Sequence, residues 1–155
     1  MKRTLAIASL VVLTASTAAL AQSGPKPEQL IKWRQSVFQV LAWNGQRIKA
    51  NVEGTTFNRE DVVKAANSTA AIANSGIGAL FAPGTETGKG WHDTAAKAEL
   101  FAADSKVGTL AANFSQEATE LARIAASGDQ ASVKAQFGKL NQTCKACHDE
   151  YKAKD

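Results

Sequence analysis

The sequence predicts an all-α fold, an antiparallel four-helix bundle. Three observations carry that expectation. Strand signals are nearly absent from the 155 residues, and alanine is abundant. Apolar residues recur at three-to-four spacing in four stretches. The connections between those stretches are short, with one exception.

The first helix is expected from Pro27 to Asn51. Pro27 suits a first-turn position, where its missing N–H costs nothing. Leu30, Trp33, Val37, Leu41 and Ile48 mark its apolar face, with Arg34 and Phe38 on the flank. Gly54-Thr55-Thr56 makes a loop. The second helix is expected from Arg59 to Ala73. Asn58 can cap it, and Glu60 and Asp61 fall in the first turn, where the helix dipole favours negative charge. A long irregular connection follows from Asn74 to Gly90, with Ile77, Leu80, Phe81 and a Pro83-Gly84 turn. The third helix is expected from Asp93 to Ala126, burying Phe101, Leu110, Phe114, Leu121 and Ile124. Ser127-Gly128 ends it, with Gly128 as a left-handed terminator. Asp129 caps the fourth helix, which runs to Lys152 with Val133, Phe137, Leu140, Cys144, Cys147, His148 and Tyr151 at helical spacing.

Residues 1–21 read as a secretory signal peptide. Lys2 and Arg3 precede an apolar run from Leu5 to Leu13, and Ala19-Leu20-Ala21 offers an Ala-x-Ala cleavage site. The run is too short to cross a bilayer core of ~30 Å. Residues 22–155 then form a single domain in an exported, periplasmic protein with no stable membrane insertion. The net charge of the chain is +4, and it falls to +2 once Lys2 and Arg3 are removed. Basic and acidic residues are interspersed, which argues against nucleic acid as a partner.

Residues 144–148 read Cys-Lys-Ala-Cys-His. This is the attachment pattern of c-type haem. Two thiols add to the vinyl groups on one porphyrin edge, and the adjacent histidine becomes an axial iron ligand. On a helix, Cys144 and His148 stack one turn apart and Cys147 lies beside them, so all three point to one side. Three rivals fit less well. A thioredoxin-like pair wants a strand context and a helix N-terminus. A zinc site needs four ligands, and His92 is the only other histidine. A disulfide at this spacing inside a helix is geometrically awkward. The expected cofactor is one covalent haem c, held by Cys144 and Cys147 with His148 on the iron. Met1 is the only methionine and leaves with the leader, so a mature His/Met pair is excluded. The sequence favours five-coordinate iron with an apolar distal face.

These features together resemble cytochrome c′, the class II c-type cytochromes. The resemblance spans the mature chain. It rests on the late Cys-Lys-Ala-Cys-His followed by Asp149 and Tyr151, on Lys32-Trp33-Arg34-Gln35-Ser36, and on Pro83-Gly84-Thr85-Glu86. It implies a periplasmic homodimer carrying five-coordinate, high-spin haem. Position by position, it implies Arg34 and Gln35 near a haem propionate, Thr85 and Glu86 beside the haem, and Lys152 near the proximal side. It also places Phe38 over the open iron face.

Two functional classes are then expected. One is a binder of small uncharged gases, chiefly nitric oxide and also carbon monoxide. The other is a dedicated periplasmic electron carrier with an unidentified redox partner protein. No distal acid–base pair is evident, so no enzyme is expected. Val40, Trp43 and Arg47 lie at helical spacing off the apolar face and offer a self-complementary patch for a homodimer.

Overall fold

The computed structural model describes residues 24–154. The expected signal peptide, residues 1–21, lies outside them. Four helices follow in order: α1 Pro27–Glu53, α2 Arg59–Ala73, α3 Val107–Ser127 and α4 Gln130–Tyr151. Two short 3₁₀ turns, Ile77–Leu80 and Ala98–Phe101, lie between α2 and α3. The four-helix bundle is therefore the observed fold. No helix among the described residues is long and apolar enough to cross a membrane.

Local chemistry sets most of the boundaries. Pro27 opens α1, and the Gln29 side chain accepts the Lys26 amide at 3.0 Å. Asn58 caps α2 by accepting the Asp61 amide at 3.1 Å. Asp129 caps α4 by accepting the Ser132 amide at 2.8 Å. Each cap meets a donor that the first helical turn cannot satisfy for itself.

The aliphatic core fills one half of the bundle. It joins Ile48 and Val52 of α1, Val62, Ala65 and Ala66 of α2, Ala118, Leu121 and Ala125 of α3, and Val133, Phe137 and Leu140 of α4. The other half holds the start of α1, the end of α4 and the long connection. Of the neighbouring helix pairs, α1 and α4 pack against each other least.

The structure corrects three expectations. The inward face of α1 carries Ile31, Arg34, Asn44, Ile48 and Val52, while Trp33 is 47% exposed. Hydropathy ranks tryptophan above arginine, but Arg34 and Asn44 have internal hydrogen-bond partners and can be buried. The third helix begins at Val107, not Asp93. Residues 94–106 instead spend backbone groups on the end of α4: the Lys97 amide donates to Tyr151 O at 2.9 Å, and the Ala153 amide to Ala95 O at 2.8 Å. Finally, Gly128 is not left-handed (φ −70°, ψ 161°). It is needed for close approach, since a Cβ there would sit 2.7 Å from Ile124 O.

A polar joint ties α1 to α2. The Arg47 guanidinium donates to the Asp61 carboxylate, and Asn51 Nδ2 donates to Asp61 Oδ2 at 3.0 Å. The hydrogen bond from Arg47 holds the Asp61 carboxyl below its usual range. A carboxyl whose folded pKa is depressed stabilises the fold above its unfolded pKa, and loses that contribution as pH falls through the folded value. Asp61→Asn should therefore destabilise the bundle at neutral pH, with the two urea denaturation curves converging in acid. A gap that stays constant across pH would show that Asp61 contributes through shape alone.

Candidate haem site

The last two turns of α4 present Cys144, Cys147 and His148. Both cysteines are free thiols and partly buried. Burial pushes both thiols up in pKa, and at Cys147 nearby Cys144 and Glu150 add to the rise. Both shifts run opposite to that of the low-pKa thiolate in a thioredoxin-type pair. Burial pushes the His148 imidazole down, and the Lys152 ammonium acts in the same direction. A neutral imidazole is the form that can give a ring nitrogen to a metal. Among the described residues there is no group of three or more His, Cys, Asp or Glu side chains able to hold a bare metal ion.

The opposite wall comes from α1 and the long connection. The Phe38 ring lies 6.5 Å from the His148 ring, at an interplanar angle of 69°. Phe81 meets Phe38 edge-on at 6.1 Å. An imidazole and two aromatic rings therefore meet between α4, α1 and the long connection, and the two thiols lie on the same turns of α4 as the imidazole. This donor set fits a flat apolar macrocycle attached through its edge and ligated from one face. Phe38 is 38% exposed, so it stands at the margin of the bundle and not in the aliphatic core.

Arg34 reaches the site from the same helix, one turn before Phe38. Its guanidinium is buried, with the residue only 4% exposed. Nη1 donates to Thr85 Oγ1 at 2.7 Å and to Leu80 O at 3.3 Å. Nη2 donates to Thr85 O at 2.7 Å and to Thr94 Oγ1. Burial pushes the guanidinium pKa down, and Glu86 opposes that shift. Thr85 is fully buried, and Glu86 Oε2 is buried without a hydrogen-bond partner. Arg34, Thr85 and Glu86 thus form one cluster.

Gln35 does something the sequence did not announce. Its Oε1 accepts the Trp91 amide at 2.7 Å, and its Nε2 donates to His92 O at 2.9 Å. Gln35 thereby holds residues 90–92 as a strap against α1. Trp91 Nε1 donates to Ser36 Oγ at 2.8 Å, and Lys32 Nζ lies 3.9 Å above the Trp91 ring. His92 is exposed, with Nδ1 2.8 Å from Asp93 O. Lys152 caps α4, its amide donating to His148 O at 3.1 Å. Phe81, Thr94 and Trp91 were missed from sequence. The aromatics at 81 and 91, in and just after the long connection, were the available signals.

Comparison with known proteins adds the family. A family model described as Cytochrome C' matches residues 29–152. The cytochrome c′ of Rhodocyclus tenuis is 61% identical over 130 residues, covering 84% of this chain and 98% of that protein. A solved cytochrome c′, reported with an unusual ligand-controlled dimer dissociation, is 44% identical with a TM-score of 0.80, covering 85% of this chain and all of that one, 100%. Two solved forms of the Alcaligenes xylosoxidans protein also match. One is a nitric oxide complex of a mutant, 27% identical with a TM-score of 0.74, covering 84% of this chain and 98% of that chain. The other is a carbon monoxide-bound variant, 28% identical with a TM-score of 0.73, covering 83% and 98%.

The strap against α1 depends on Gly90. A Cβ there would lie 2.7 Å from Lys32 N and 2.8 Å from Lys32 Cα, both backbone atoms that cannot swing aside. Gly90→Ala should lift the strap, break the Trp91–Ser36 hydrogen bond and cost about 1–3 kcal/mol, as overpacking typically does. Chemical denaturation and a red-shifted tryptophan emission would report it. Unchanged stability and emission would mean that the strap is free to move.

Proposed function

The chain belongs to the cytochrome c′ family, which binds c-type haem covalently, and on that premise we propose that it is a periplasmic haem protein that takes small neutral gases, chiefly nitric oxide. Residues 1–21 act as the export signal in this reading. When bound, the haem supplies an iron that can accept a gas and exchange one electron. The chain's own residues do the rest. Cys144 and Cys147 hold the cofactor through thioether bonds, and His148 gives one ring nitrogen to the metal. Lys152 adds positive charge on that side. Arg34 anchors the loop carrying Thr85 and Glu86 along one edge. Gln35 keeps the neighbouring strap closed.

One observation carries the proposal: the side chain that faces His148 is the phenylalanine at position 38. A phenyl ring can neither ligate iron nor donate a hydrogen bond, so an iron held by His148 would find no protein ligand in Phe38 and could take an outside one. The ring selects by volume and dryness. Nitric oxide and carbon monoxide, the ligands of the Alcaligenes xylosoxidans forms, are small and uncharged enough to enter such a space. No catalytic turnover is assigned to the site. A dedicated electron carrier would need no such opening. Absorption spectra of the ferrous protein with and without nitric oxide separate the two readings.

The same helix offers the contact for a second copy. Trp33, Val40 and Trp43 are exposed on α1, and the Arg47 guanidinium lies 4.6 Å over the Trp43 ring. Paired α1 helices would cover them with a self-complementary patch.

Haem retention tests the attachment. Wild-type protein should keep haem through acid-acetone extraction, and the double replacement Cys144→Ala with Cys147→Ala should lose it. Release of all haem from the wild type would overturn covalent attachment.

Phe38 tests the gas route. Moving a packed aromatic ring costs on the order of 1 kcal/mol, so Phe38→Ala should raise the carbon monoxide association rate about five-fold or more. The stability loss should reach at most the ~3–5 kcal/mol of a core Phe→Ala change, less if pocket water fills the space. An unchanged rate in a folded variant would assign Phe38 to packing alone.

A further inference from the structure

An α-helix leaves the carbonyls of its last turn without donors of their own. In α4, His148 O is met by the Lys152 amide at 3.1 Å. The three carbonyls after it belong to Asp149, Glu150 and Tyr151. One residue from outside the helix reaches all three. The Lys97 amide donates to Tyr151 O at 2.9 Å. Lys97 Nζ donates to Glu150 O at 2.9 Å and makes a longer contact of 3.5 Å with Asp149 O.

We infer that Lys97 is a positioning residue for His148, acting through the last turn of α4. The inference rests on the reading of His148 as the iron ligand. Helix ends fray unless their carbonyls find partners, and His148 stands one turn from this end. A lysine also suits the place electrostatically, because the dipole concentrates negative charge at a helix C-terminus. Lys97 is itself held. Ala95 O accepts the Ala153 amide at 2.8 Å, and the Tyr151 hydroxyl, on a residue 4% exposed, accepts the Lys106 amide at 2.8 Å. On the other side, Thr94 takes a hydrogen bond from Arg34. Residues 94–97 therefore run from the buried guanidinium of α1 to the terminal carbonyls of α4, with Lys97 at the far end. They fix the last turn, and with it the direction in which the His148 ring leaves the helix relative to Cys144.

The test is resonance Raman spectroscopy of the ferrous holoprotein, reading the iron–histidine stretching band. Lys97→Met keeps the backbone donor and removes both ammonium contacts. Its band should broaden and shift to lower frequency. Lys97→Arg keeps a cation with several donors and should restore the wild-type band. A purely structural role would lower the melting temperature of Lys97→Met and leave the band in place, and that result overturns the inference. If Lys97→Met does not accumulate as folded holoprotein, Lys97→Gln is read by the same rule. Absence of any iron–histidine band in the wild type would overturn the ligand reading of His148, and this inference with it.

Discussion

The buried guanidinium of Arg34 is the interaction on which the functional half of the molecule depends. Taking a cation out of water costs several kcal/mol unless its donors are met. Here they are met almost wholly by one stretch of chain. Leu80, Thr85 and Thr94 converge on two nitrogens, and the Phe81 ring lies 5.0 Å from the guanidinium carbon. No aliphatic side chain could gather that many separate backbone and hydroxyl groups. The long connection between α2 and α3 therefore has a fixed path despite containing only two 3₁₀ turns. Phe81 arrives beside Phe38 because of it. The segment after Thr94 arrives at the end of α4 because of it.

The two halves of the bundle are held by different physics. Small and branched aliphatic side chains fill the half around Ile48, Val62, Leu121 and Val133, and dispersion and water exclusion suffice there. The half around Arg34 and His148 is organised by hydrogen bonds to loops, and its apolar groups include the buried Ile31 and the Phe38 and Phe81 rings. That division gathers most of the buried hydrophobic core into one half. It also keeps the other half able to accept a large flat group without disturbing the packing that defines the fold.

The sequence made much of this legible, for identifiable reasons. α2 was read from Arg59 to Ala73 and is observed there, because Asn58 and the two acids behind it act locally. Cys144, Cys147 and His148 were legible because one helical turn brings them together. The start of the third helix was misread because the backbone of residues 94–106 is spent on partners some fifty positions away, at Tyr151 and Ala153. No local signal announces that. The inward position of Arg34 and the outward position of Trp33 were hidden for the same reason. Hydropathy assigns a residue a side, whereas its distant partners decide whether burying it is tolerable. Gly128 was read from the commonest terminator geometry, and the close approach of Ile124 set a different one.

The modest packing between α1 and α4 bears on how the chain folds. The pairs α1–α2, α2–α3 and α3–α4 join successive helices, so their contacts close comparatively short loops. Only α1 against α4 brings the two ends of the domain together, and its loop closure carries the largest entropic cost. Because that pair also packs least, little is gained by closing it early. Loop-closure entropy therefore favours the sequential hairpins over the α1–α4 seam as the early contacts of this topology.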